Sequence, residues 1–409
     1  MHAVSVSVGK ASRATRTESA GRLTPVVLHY IRLANVRCHR EIEVEFGPGL
    51  TVLVGPNGTG KTTVLEAIHL LFRGASPRTA HPRELITKSE TVLRVEGDLT
   101  NGPAEDAADA RYTAGAGNAG GTTVAALGYG ADGERRMTAG GAPLSDAQRW
   151  EETFPVRTFL PDDLRLVKGS PRRRRLYLDG LASAVWPPHR QALARYEEAL
   201  QQRNALLRAG VTGTEHSPWE ALLAREGLTV VHARARALQA ITGVYAATHR
   251  TLAVAAGVAT LSYRTNVADC DEPAYRTRLA EHRATDRQRT FTHSGPHRDD
   301  MRFLLDGRDL RDYGSQGEQR TAVLALLLAE RAWQAQEGGV VPMLLLDDVM
   351  SELDSVRRRA LMGLLTGAGQ TVLTTTDLHY FTSEELAGLK MVELGQENSP
   401  GRGGCEPIG

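Results

Sequence analysis

The sequence contains few cysteines, few aromatic residues and no long apolar segment, and each scarcity argues against a class of protein. Only 3 of its 409 residues are cysteine (Cys38, Cys270 and Cys405), and no two of them form a Cys-x-x-Cys pair. A disulfide framework and a cysteine-ligated zinc site are therefore disfavoured, and a reducing, cytoplasmic setting is expected. No run approaches the roughly 18 consecutive apolar residues of a membrane-spanning helix, so a membrane role is not expected.

The chain also lacks an excess of charge of either sign. Its 49 Lys+Arg residues balance 48 Asp+Glu residues, for a net charge of +1. This balance argues against nucleic-acid binding unless the charges are segregated along the chain. Lysine is scarce, because five of the 49 basic residues are lysine and 44 are arginine. The length predicts two or three globular domains of ordinary composition.

The hydrophobic pattern predicts an α/β protein with a helical insertion. Alternating or continuous apolar segments predict strands at 28–33, 41–46, 50–54, 91–99, 301–305, 340–346 and 371–374. Apolar residues at helical spacing predict a helix over 61–72. Residues 100–145 are rich in Gly, Ala and Thr, which favours hairpins with exposed loops or, alternatively, disorder. Residues 165–290 are expected to be mostly helical, with a pair of packed helices or a short coiled arm.

A phosphate-binding loop is the strongest motif in the chain. It matches G-x-x-x-x-G-K-[ST] over Gly55, Pro56, Asn57, Gly58, Thr59, Gly60, Lys61 and Thr62, followed by Thr63. Glycines let successive backbone N–H groups point at phosphate oxygens, and the start of the following helix adds partial positive charge. Lys61 is expected to reach the β- and γ-phosphates of ATP, and the Thr62 hydroxyl is expected to bind Mg²⁺.

Two further motifs complete this predicted site. The apolar run 343–346 ends in Asp347 and Asp348, as in a buried strand whose tip meets ligand. Adjacent acids point in different directions, so Asp347 is expected to hold Mg²⁺ and Asp348 to act on the attacking water as general base. Ser315, Gln316, Gly317, Glu318 and Gln319 precede an apolar helix and predict a capping box, whose helix start could also bind an anion of a second subunit.

Together these motifs resemble the sequence set of ABC-type ATPases. That resemblance implies that Ser315 to Gln319 of one head close on the ATP bound by another head. It places Asp354 in the loop that signals between the two sites, and Thr376 and Asp377 where transporters carry a switch histidine. Asn35 and Arg37 resemble the pair that the chromosome-maintenance (SMC-like) branch places near the nucleotide phosphates. No residue is assigned to the Q-loop glutamine.

Within that superfamily, residues 27–395 are similar to the RecF family of bacterial recombination mediators. Three segments carry this resemblance: 159–171, 295–300 and 314–321. It implies an ABC-type head, a mixed sheet with flanking helices assembled from both chain ends, with an inserted, mostly helical second lobe. It also implies a weak DNA-dependent ATPase that dimerises on ATP, clamps DNA and helps to load recombinase at gaps with RecO and RecR. Since Asp348 stands where most heads have Glu, slow hydrolysis is expected.

The resemblance and the changes in composition predict five segments. They are a disordered leader or misassigned start at 1–25 (a transit peptide is the alternative), an N-terminal part of the ATPase lobe at 26–164, an inserted helical lobe at 165–290, a C-terminal part of the ATPase lobe at 291–395, and a flexible tail at 396–409. The densest positive cluster, Arg172, Arg173, Arg174 and Arg175, predicts contact with DNA phosphates or, alternatively, a solvated helix start. His297 and Arg298 are expected to fix a lobe junction rather than to touch nucleotide.

Three other functions are compared from the sequence. A chromosome-organising SMC-like protein would need hundreds of residues of coiled coil, which the chain lacks. A nucleotide-binding subunit of an ABC transporter shares the phosphate loop, but the helical insertion and the missing switch histidine disfavour it. A non-catalytic binding module switched by ATP has the same motifs. Comparing how long DNA is retained with ATP and with a non-hydrolysable analogue would distinguish such a module from an obligate ATPase.

Overall fold

The computed structural model describes residues 23–101, 122–186, 188–253 and 257–395. Most of the predicted leader, the tail from 396, Cys405 and the 102–121 part of the Gly-rich segment lie outside these residues. None of the helices within the described residues is both long enough and apolar enough to cross a membrane. Cys38 and Cys270 are both free thiols.

The described residues form the following strands and helices. The strands are β1 (Thr24–Val36), β2 (His39–Glu45), β3 (Leu50–Val54), β4 (Val92–Asn101), β5 (Thr122–Gly130), β6 (Arg135–Ala139), β7 (Ala142–Pro143), β8 (Val156–Phe159), β9 (Ala259–Arg264), β10 (Asp300–Leu305), β11 (Arg308–Asp309), β12 (Val340–Val341), β13 (Met343–Leu346), β14 (Thr371–Thr375) and β15 (Lys390–Glu393). The helices are α1 (Lys61–Arg73), α2 (Ala147–Thr153), α3 (Arg165–Lys168), α4 (Pro171–Val185), α5 (Pro188–Arg208), α6 (Ser217–Ala253), α7 (Glu272–Glu281), α8 (Arg283–Arg289), α9 (Leu310–Tyr313), α10 (Gln316–Gly338), α11 (Ser355–Leu365) and α12 (Ser383–Ala387).

The described chain divides into two compact units. The first unit comprises residues 23–101, 122–163, 251–253 and 331–395, and the second comprises 164–186, 188–250 and 257–330. The phosphate loop and Asp347 belong to the first unit, whereas Ser315 to Gln319 belong to the second. The domain boundaries stated above remain predictions, and the second compact unit continues past the predicted boundary at 290 as far as Glu330.

A five-stranded parallel sheet in the first unit brings the nucleotide motifs to one edge. Its order is β15, β3, β14, β13, β8, and every adjacent pair is parallel. Because all five strands point the same way, their carboxyl ends share an edge, where ligands bind in open α/β sheets. β3 ends at the phosphate loop and β13 ends at Asp347, so the topology gathers residues that are far apart in sequence.

A seven-stranded sheet forms the other layer of the first unit. Its order is β12, β1, β4, β5, β6, β7, and β2 also pairs with β1. Between the two sheets' strands, α1 buries Val64, Leu65 and Ile68 in a core shared with residues of β1 and β4. The predicted strand at 340–346 is interrupted at Pro342, which lacks an N–H group for a central ladder. In the 100–145 segment, β5 and β6 form a hairpin, as predicted for its described part.

The second unit combines helices with a small sheet. Residues of α5 and α6, among them Tyr196, Ala199 and Leu223, share one core, which confirms the expected pair of packed helices. Residues 165–290 are mostly helical, as predicted, and they also contain β9, which pairs with β10 over 259–264. This strand has only six residues and is partly buried, so its alternating pattern was too short to predict a strand. The residues Ser315 to Gln319, called the signature segment below, lie at the N-terminus of α10 in this unit.

Candidate nucleotide-binding site

The phosphate loop joins β3 to α1, and its glycines are required by contacts. Gly60 has φ +85°, and a Cβ atom there would lie 2.1 Å from Nε2 of the buried His39. That nitrogen lies 3.2 Å from the Gly60 carbonyl oxygen, so the turn after β1 packs directly against the loop. At Gly55, a Cβ atom would lie 2.3 Å from the Leu394 carbonyl oxygen. A larger residue would displace the His39 side chain at position 60 and the Leu394 backbone at position 55.

Lys61 lies inside the loop. Its Nζ donates to the carbonyl oxygens of Gly55 at 2.5 Å and Pro56 at 2.8 Å, and the side chain is buried. Burial lowers the pKa of Lys61, and the charges of Asp348 and Asp347 oppose that shift. An ammonium held by two neutral carbonyls still carries a full positive charge, which a phosphate can neutralise. Pro56, Asn57 and Gly58 are exposed at the tip of the loop.

Asp347 and Thr62 meet at the carboxyl edge of the sheet. The Thr62 hydroxyl lies 3.0 and 2.9 Å from the two carboxylate oxygens of Asp347, and the Thr374 hydroxyl donates to Asp347 Oδ1 at 2.7 Å. Burial raises the pKa of Asp347, while the two threonine hydroxyls and the charge of Arg78 oppose the rise. A hydroxyl and a carboxylate are the oxygen ligands that Mg²⁺ takes beside phosphate oxygens. These two residues therefore fit a magnesium ion.

The Asp348 side chain has a different hydrogen-bond partner from that of Asp347. Its backbone adopts a left-handed conformation (φ +46°), and its amide donates to Thr374 Oγ1 at 2.9 Å. Oδ2 accepts from the Ser351 hydroxyl at 2.8 Å, whereas Oδ1 is buried with no hydrogen-bond partner in the described part of the chain. A buried carboxylate oxygen without a donor is costly, which favours a ligand or water at this position. The different partners of the two acids agree with the expected alternation.

Asn35 is one of the last two residues of β1, Arg37 lies in the turn that follows, and both have positive φ. Asn35 Nδ2 donates to the Val92 carbonyl at 3.2 Å. Arg37 donates through Nε and Nη2 to the Glu66 carboxylate, at 2.5 and 2.8 Å. Next in this turn, Cys38 Sγ lies 3.7 Å from the hydroxyl of Thr63, in the first turn of α1. The structure thus brings the predicted Asn/Arg turn beside the phosphate loop, with the arginine held by α1.

The signature segment begins α10 in the second unit. The Ser315 amide and hydroxyl donate to Glu318 Oε2 at 2.7 and 2.9 Å, and the Glu318 amide donates to Ser315 Oγ at 3.3 Å. This confirms the predicted capping box. Ser315 and Gln316 are exposed, and Gly317 is half-buried. Gln319 is buried, and its amide donates to the Leu310 and Gly314 carbonyls, so its predicted contact with a second subunit lacks an exposed group.

The predicted signalling and switch residues occupy helix starts. Asp354 caps α11 by accepting from the amides of Val356 and Arg357 at 3.0 and 2.9 Å, and these contacts and the Arg357 charge lower its pKa. Thr376 is half-buried, and Asp377 is exposed and accepts from the His379 amide at 2.9 Å. Their roles between subunits remain predictions.

The four-arginine cluster does not form one continuous positive surface. Arg172 is exposed and Arg173 is half-buried. Arg174 is buried, and it pairs with Asp300 and donates to three backbone carbonyls. Arg175 donates to the Asp299 carbonyl, and burial lowers its pKa. The expectation of four DNA-facing arginines is therefore corrected for Arg174, whose guanidinium is used within the fold.

His297 also has contacts within its own unit. Its Nδ1 lies 2.6 Å from the Tyr196 hydroxyl and its Nε2 lies 2.8 Å from the Thr292 carbonyl. Burial lowers its pKa to about 4. Arg298 is exposed, with its guanidinium 5.8 Å from the centre of the Phe291 ring. These contacts place both residues in the packing of the second unit, and their predicted role at a lobe junction remains a prediction.

Comparisons with known proteins decide the family. The chain is 38% identical over 380 residues to the DNA replication and repair protein RecF of Heliobacterium modesticaldum, covering 90% of this chain and 97% of that protein. It is 35% identical to the RecF of Moorella thermoacetica, covering 91% and 96%. The chain belongs to the RecF family. A family model described as an AAA domain matches residues 30–109.

Solved structures confirm the fold class. The recombination mediator protein RecF, solved as RecF-ATPrS of the RecFOR pathway, superimposes with a TM-score of 0.74 at 28% identity, covering 88% of this chain and 95% of that one. An Smc head bound to the C-terminal winged-helix domain of ScpA gives a TM-score of 0.51 at 16% identity, which is a likeness of fold alone. The RecF family fold is thus an ABC-type ATPase head with a helical lobe, as the sequence predicted.

Several residues of this site are not evident from the sequence. Thr374 and Ser351 each bind one of the paired carboxylates, and Glu66 holds Arg37. Ser351 follows Asp348 by three residues, a spacing typical of a turn, and could have been found. Thr374 is 27 residues from Asp347 and becomes its neighbour only through the pairing of β13 with β14.

Proposed function

We propose that this chain is an ATP-dependent DNA-repair protein whose ATP site is the phosphate loop together with Asp347 and Asp348. The observation that carries the proposal is the convergence of a buried Lys61 ammonium, the Thr62 hydroxyl and the Asp347 carboxylate at one edge of the parallel sheet. The RecF relatives, including structures named for ATP and ATPrS, support this assignment. ATP is the nucleotide, and Mg²⁺ would be held by Thr62 and Asp347.

Different residues of the site bind the phosphates and activate the attacking water. The loop amides and Lys61 bind the phosphates, and the start of α1 adds partial positive charge. Thr62 and Asp347 would hold Mg²⁺, which would supply charge neutralisation at the phosphates. Asp348 orients the attacking water and accepts its proton, since its Oδ1 is buried and has no partner in the described chain. Its side chain is shorter than a glutamate, and hydrolysis is consequently slow.

Closure of two copies completes the site. The capping box exposes the Ser315 hydroxyl at the start of α10, where a γ-phosphate of a second copy's ATP can bind. Each head thereby contributes Ser315, Gln316 and Gly317 to its partner's nucleotide, while Asp354, Thr376 and Asp377 relate the two sites. ATP binding therefore drives homodimerisation, and hydrolysis releases it.

The ATP-bound dimer clamps DNA and acts with RecO and RecR to load recombinase at gaps. Support for these partners comes from the RecFOR pathway named for a structural relative. Arg172 is the exposed member of the arginine cluster and contacts DNA phosphate, with Arg173 and Arg175 beside it on α4. Aromatic residues make up only 5% of the chain, so recognition is directed at the backbone rather than at stacked bases.

A DNA-binding titration across salt concentrations tests this function. Retention should be strong with ATP or a non-hydrolysable analogue and weak without nucleotide, and with ATP it should decay as hydrolysis proceeds. Arg172→Ala should lower the slope of log affinity against log salt by about one, while Arg136→Ala in the first unit leaves it unchanged. Equal DNA affinity with and without nucleotide would exclude the clamp. Equal persistence with ATP and the analogue would instead identify a binding module whose hydrolysis is incidental.

A further inference from the structure

One arginine of α11 contacts two loops at the carboxyl edge of the parallel sheet. Arg358 Nε donates to the Met350 carbonyl oxygen at 2.8 Å, and the Arg358 guanidinium lies 4.2 Å from the centre of the Tyr380 ring. Met350 is two residues after Asp348. Tyr380 is three residues after Asp377, one of the predicted switch residues. Arg358 therefore joins the loops that follow the neighbouring strands β13 and β14.

The first of these loops has a backbone conformation that must be held by its surroundings. Asp348 precedes the short 3₁₀ helix Val349–Glu352 and has φ +46°, which is uncommon for a residue other than glycine. The Ser351 hydroxyl lies 2.9 Å from the Asp348 carbonyl oxygen and 2.8 Å from its Oδ2. Because the last carbonyls of a helix have no partner within it, the Met350 carbonyl takes a donor from Arg358. Arg358 thus holds the loop whose contacts orient the Asp348 side chain.

The backbone that carries Arg358 is itself anchored. Asp354 caps α11, and its carbonyl oxygen accepts from the Arg358 amide at 3.0 Å. Arg357 Nη1 donates to Asp354 Oδ2 at 2.7 Å, which ties the cap to the first turn of the helix. Arg358 is half-buried near the start of this helix. Its side chain therefore reaches both loops from a fixed position.

The second loop is held by Arg358 through an aromatic ring. Tyr380 is half-buried and ends the turn Leu378–Tyr380, which Asp377 caps. At the end of β14, the Thr375 hydroxyl donates to the Asp377 carbonyl oxygen at 3.0 Å. The face of an aromatic ring carries partial negative charge, so it attracts the guanidinium that lies over it. Movement of this loop is consequently transmitted to Arg358.

We propose that Arg358 is a positioning residue for ATP hydrolysis, which holds Asp348 in its working orientation through the Met350 carbonyl and the Tyr380 ring. This inference rests on the proposed role of Asp348 as general base. In that step the water oxygen bonds to the γ-phosphorus, its proton passes to the Asp348 carboxylate, and the bond to the bridging oxygen breaks with its electron pair going to ADP. Because Arg358 acts through Asp348, its loss lowers turnover and leaves nucleotide affinity unchanged.

The test measures steady-state ATP hydrolysis together with the calorimetric affinity for a non-hydrolysable ATP analogue, both with Mg²⁺. Arg358→Ala should lower kcat about tenfold or more and change KM and analogue affinity less than about threefold. Arg358→Lys, which keeps a cation that can reach the carbonyl and the ring, should restore part of kcat. Arg359→Ala, which removes the exposed arginine next to it on α11, is the matched control.

Variants of Tyr380 test whether the ring and the guanidinium act together. Tyr380→Ala should also lower kcat, and Tyr380→Phe, which keeps the ring, should retain the turnover that Tyr380→Ala loses. The double variant of Arg358→Ala and Tyr380→Ala should lose no more than the more impaired single variant, because both changes remove the same contact.

Hydrogen exchange of the nucleotide-free protein provides a readout that does not depend on turnover. Amides of residues 348–353 and 378–381 should exchange faster in Arg358→Ala than in Arg359→Ala, because both loops lose the group that joins them. Exchange in the rest of the parallel sheet should be the same in the two variants.

The outcomes separate this inference from the proposed function. Equal losses of kcat and analogue affinity in Arg358→Ala, with faster exchange throughout the sheet, would show a purely structural role and overturn the inference. An unchanged kcat in Arg358→Ala, or additive losses in the double variant, would overturn it as well while leaving ATP hydrolysis intact. If the unmodified protein bound the analogue but did not hydrolyse ATP, the general-base role of Asp348 would be removed, and the role of Arg358 with it.

Discussion

Two buried threonines of β14 provide a matched pair of substitutions that tests the geometry around the carboxylates. Thr374 and Thr371 are both 0% exposed and lie on the same strand. The Thr374 hydroxyl donates to Asp347 at 2.7 Å and accepts from the Asp348 amide at 2.9 Å. The Thr371 hydroxyl has no hydrogen-bond partner in the described chain. Replacement by the isosteric Val removes the hydroxyl alone in each case.

Only Thr374→Val should lower the free energy of unfolding. Thr374→Val removes a bond to a charged group and leaves a buried amide without its acceptor, for a loss of about 2–4 kcal/mol. Thr371→Val removes an unpaired buried hydroxyl and should be neutral or stabilising by up to about 1 kcal/mol. Urea unfolding followed by circular dichroism measures both, because the midpoint shifts in proportion to the change in free energy. Affinity for Mg²⁺-ATP should fall in Thr374→Val only.

A difference between the two variants below about 0.5 kcal/mol would refute this reasoning, since it would mean that the hydroxyl of Thr374 contributes no more than that of Thr371. A larger loss in Thr371→Val would contradict the assignment of its hydroxyl as unpaired. An unchanged Mg²⁺-ATP affinity in Thr374→Val would show that Asp347 keeps its orientation without this bond.

Two further predictions concern turnover and pH. Asp348→Asn should lower ATP turnover by a factor of about a hundred or more and leave a long-lived ATP-bound dimer, and unchanged phosphate release would remove Asp348 from the general-base role. His297 has its pKa lowered from 6.5 to about 4, so its contribution to stability is present above pH 6.5 and is lost as the pH falls toward 4. His297→Gln should therefore reduce the loss of unfolding free energy between those pH values by about 2–3 kcal/mol, and a parallel loss in both proteins would contradict this.

The local elements of the site could be predicted because glycine and charge mark their ends. β3 was predicted at its observed bounds, and α1 extends only one residue past the prediction, to Arg73, before Gly74 ends it. The capping box was predictable because Ser315 and Glu318 are three residues apart and interact locally. These features are formed by residues that are close in sequence, so the sequence pattern is sufficient to predict them.

Features that depend on the pairing of distant segments could not be predicted. The contact of Thr374 with Asp347 requires the order of the parallel sheet, and the contact of Glu66 with Arg37 requires the turn after β1 to return to α1. A run of four arginines does not indicate which of them faces inward. Arg174 does so because it lies one helical turn before the buried Leu178, a spacing that could have identified it.

The most direct test of the central claim is the mass of the protein in solution, measured by light scattering with and without Mg²⁺-ATP. We expect a monomer without nucleotide and a dimer with ATP, because Ser315 of one copy completes the phosphate site of the other. Lys61→Met removes the buried ammonium and should remain monomeric with ATP. If Lys61→Met formed as much dimer with ATP as the unmodified protein does, ATP-driven dimerisation through this site would be contradicted.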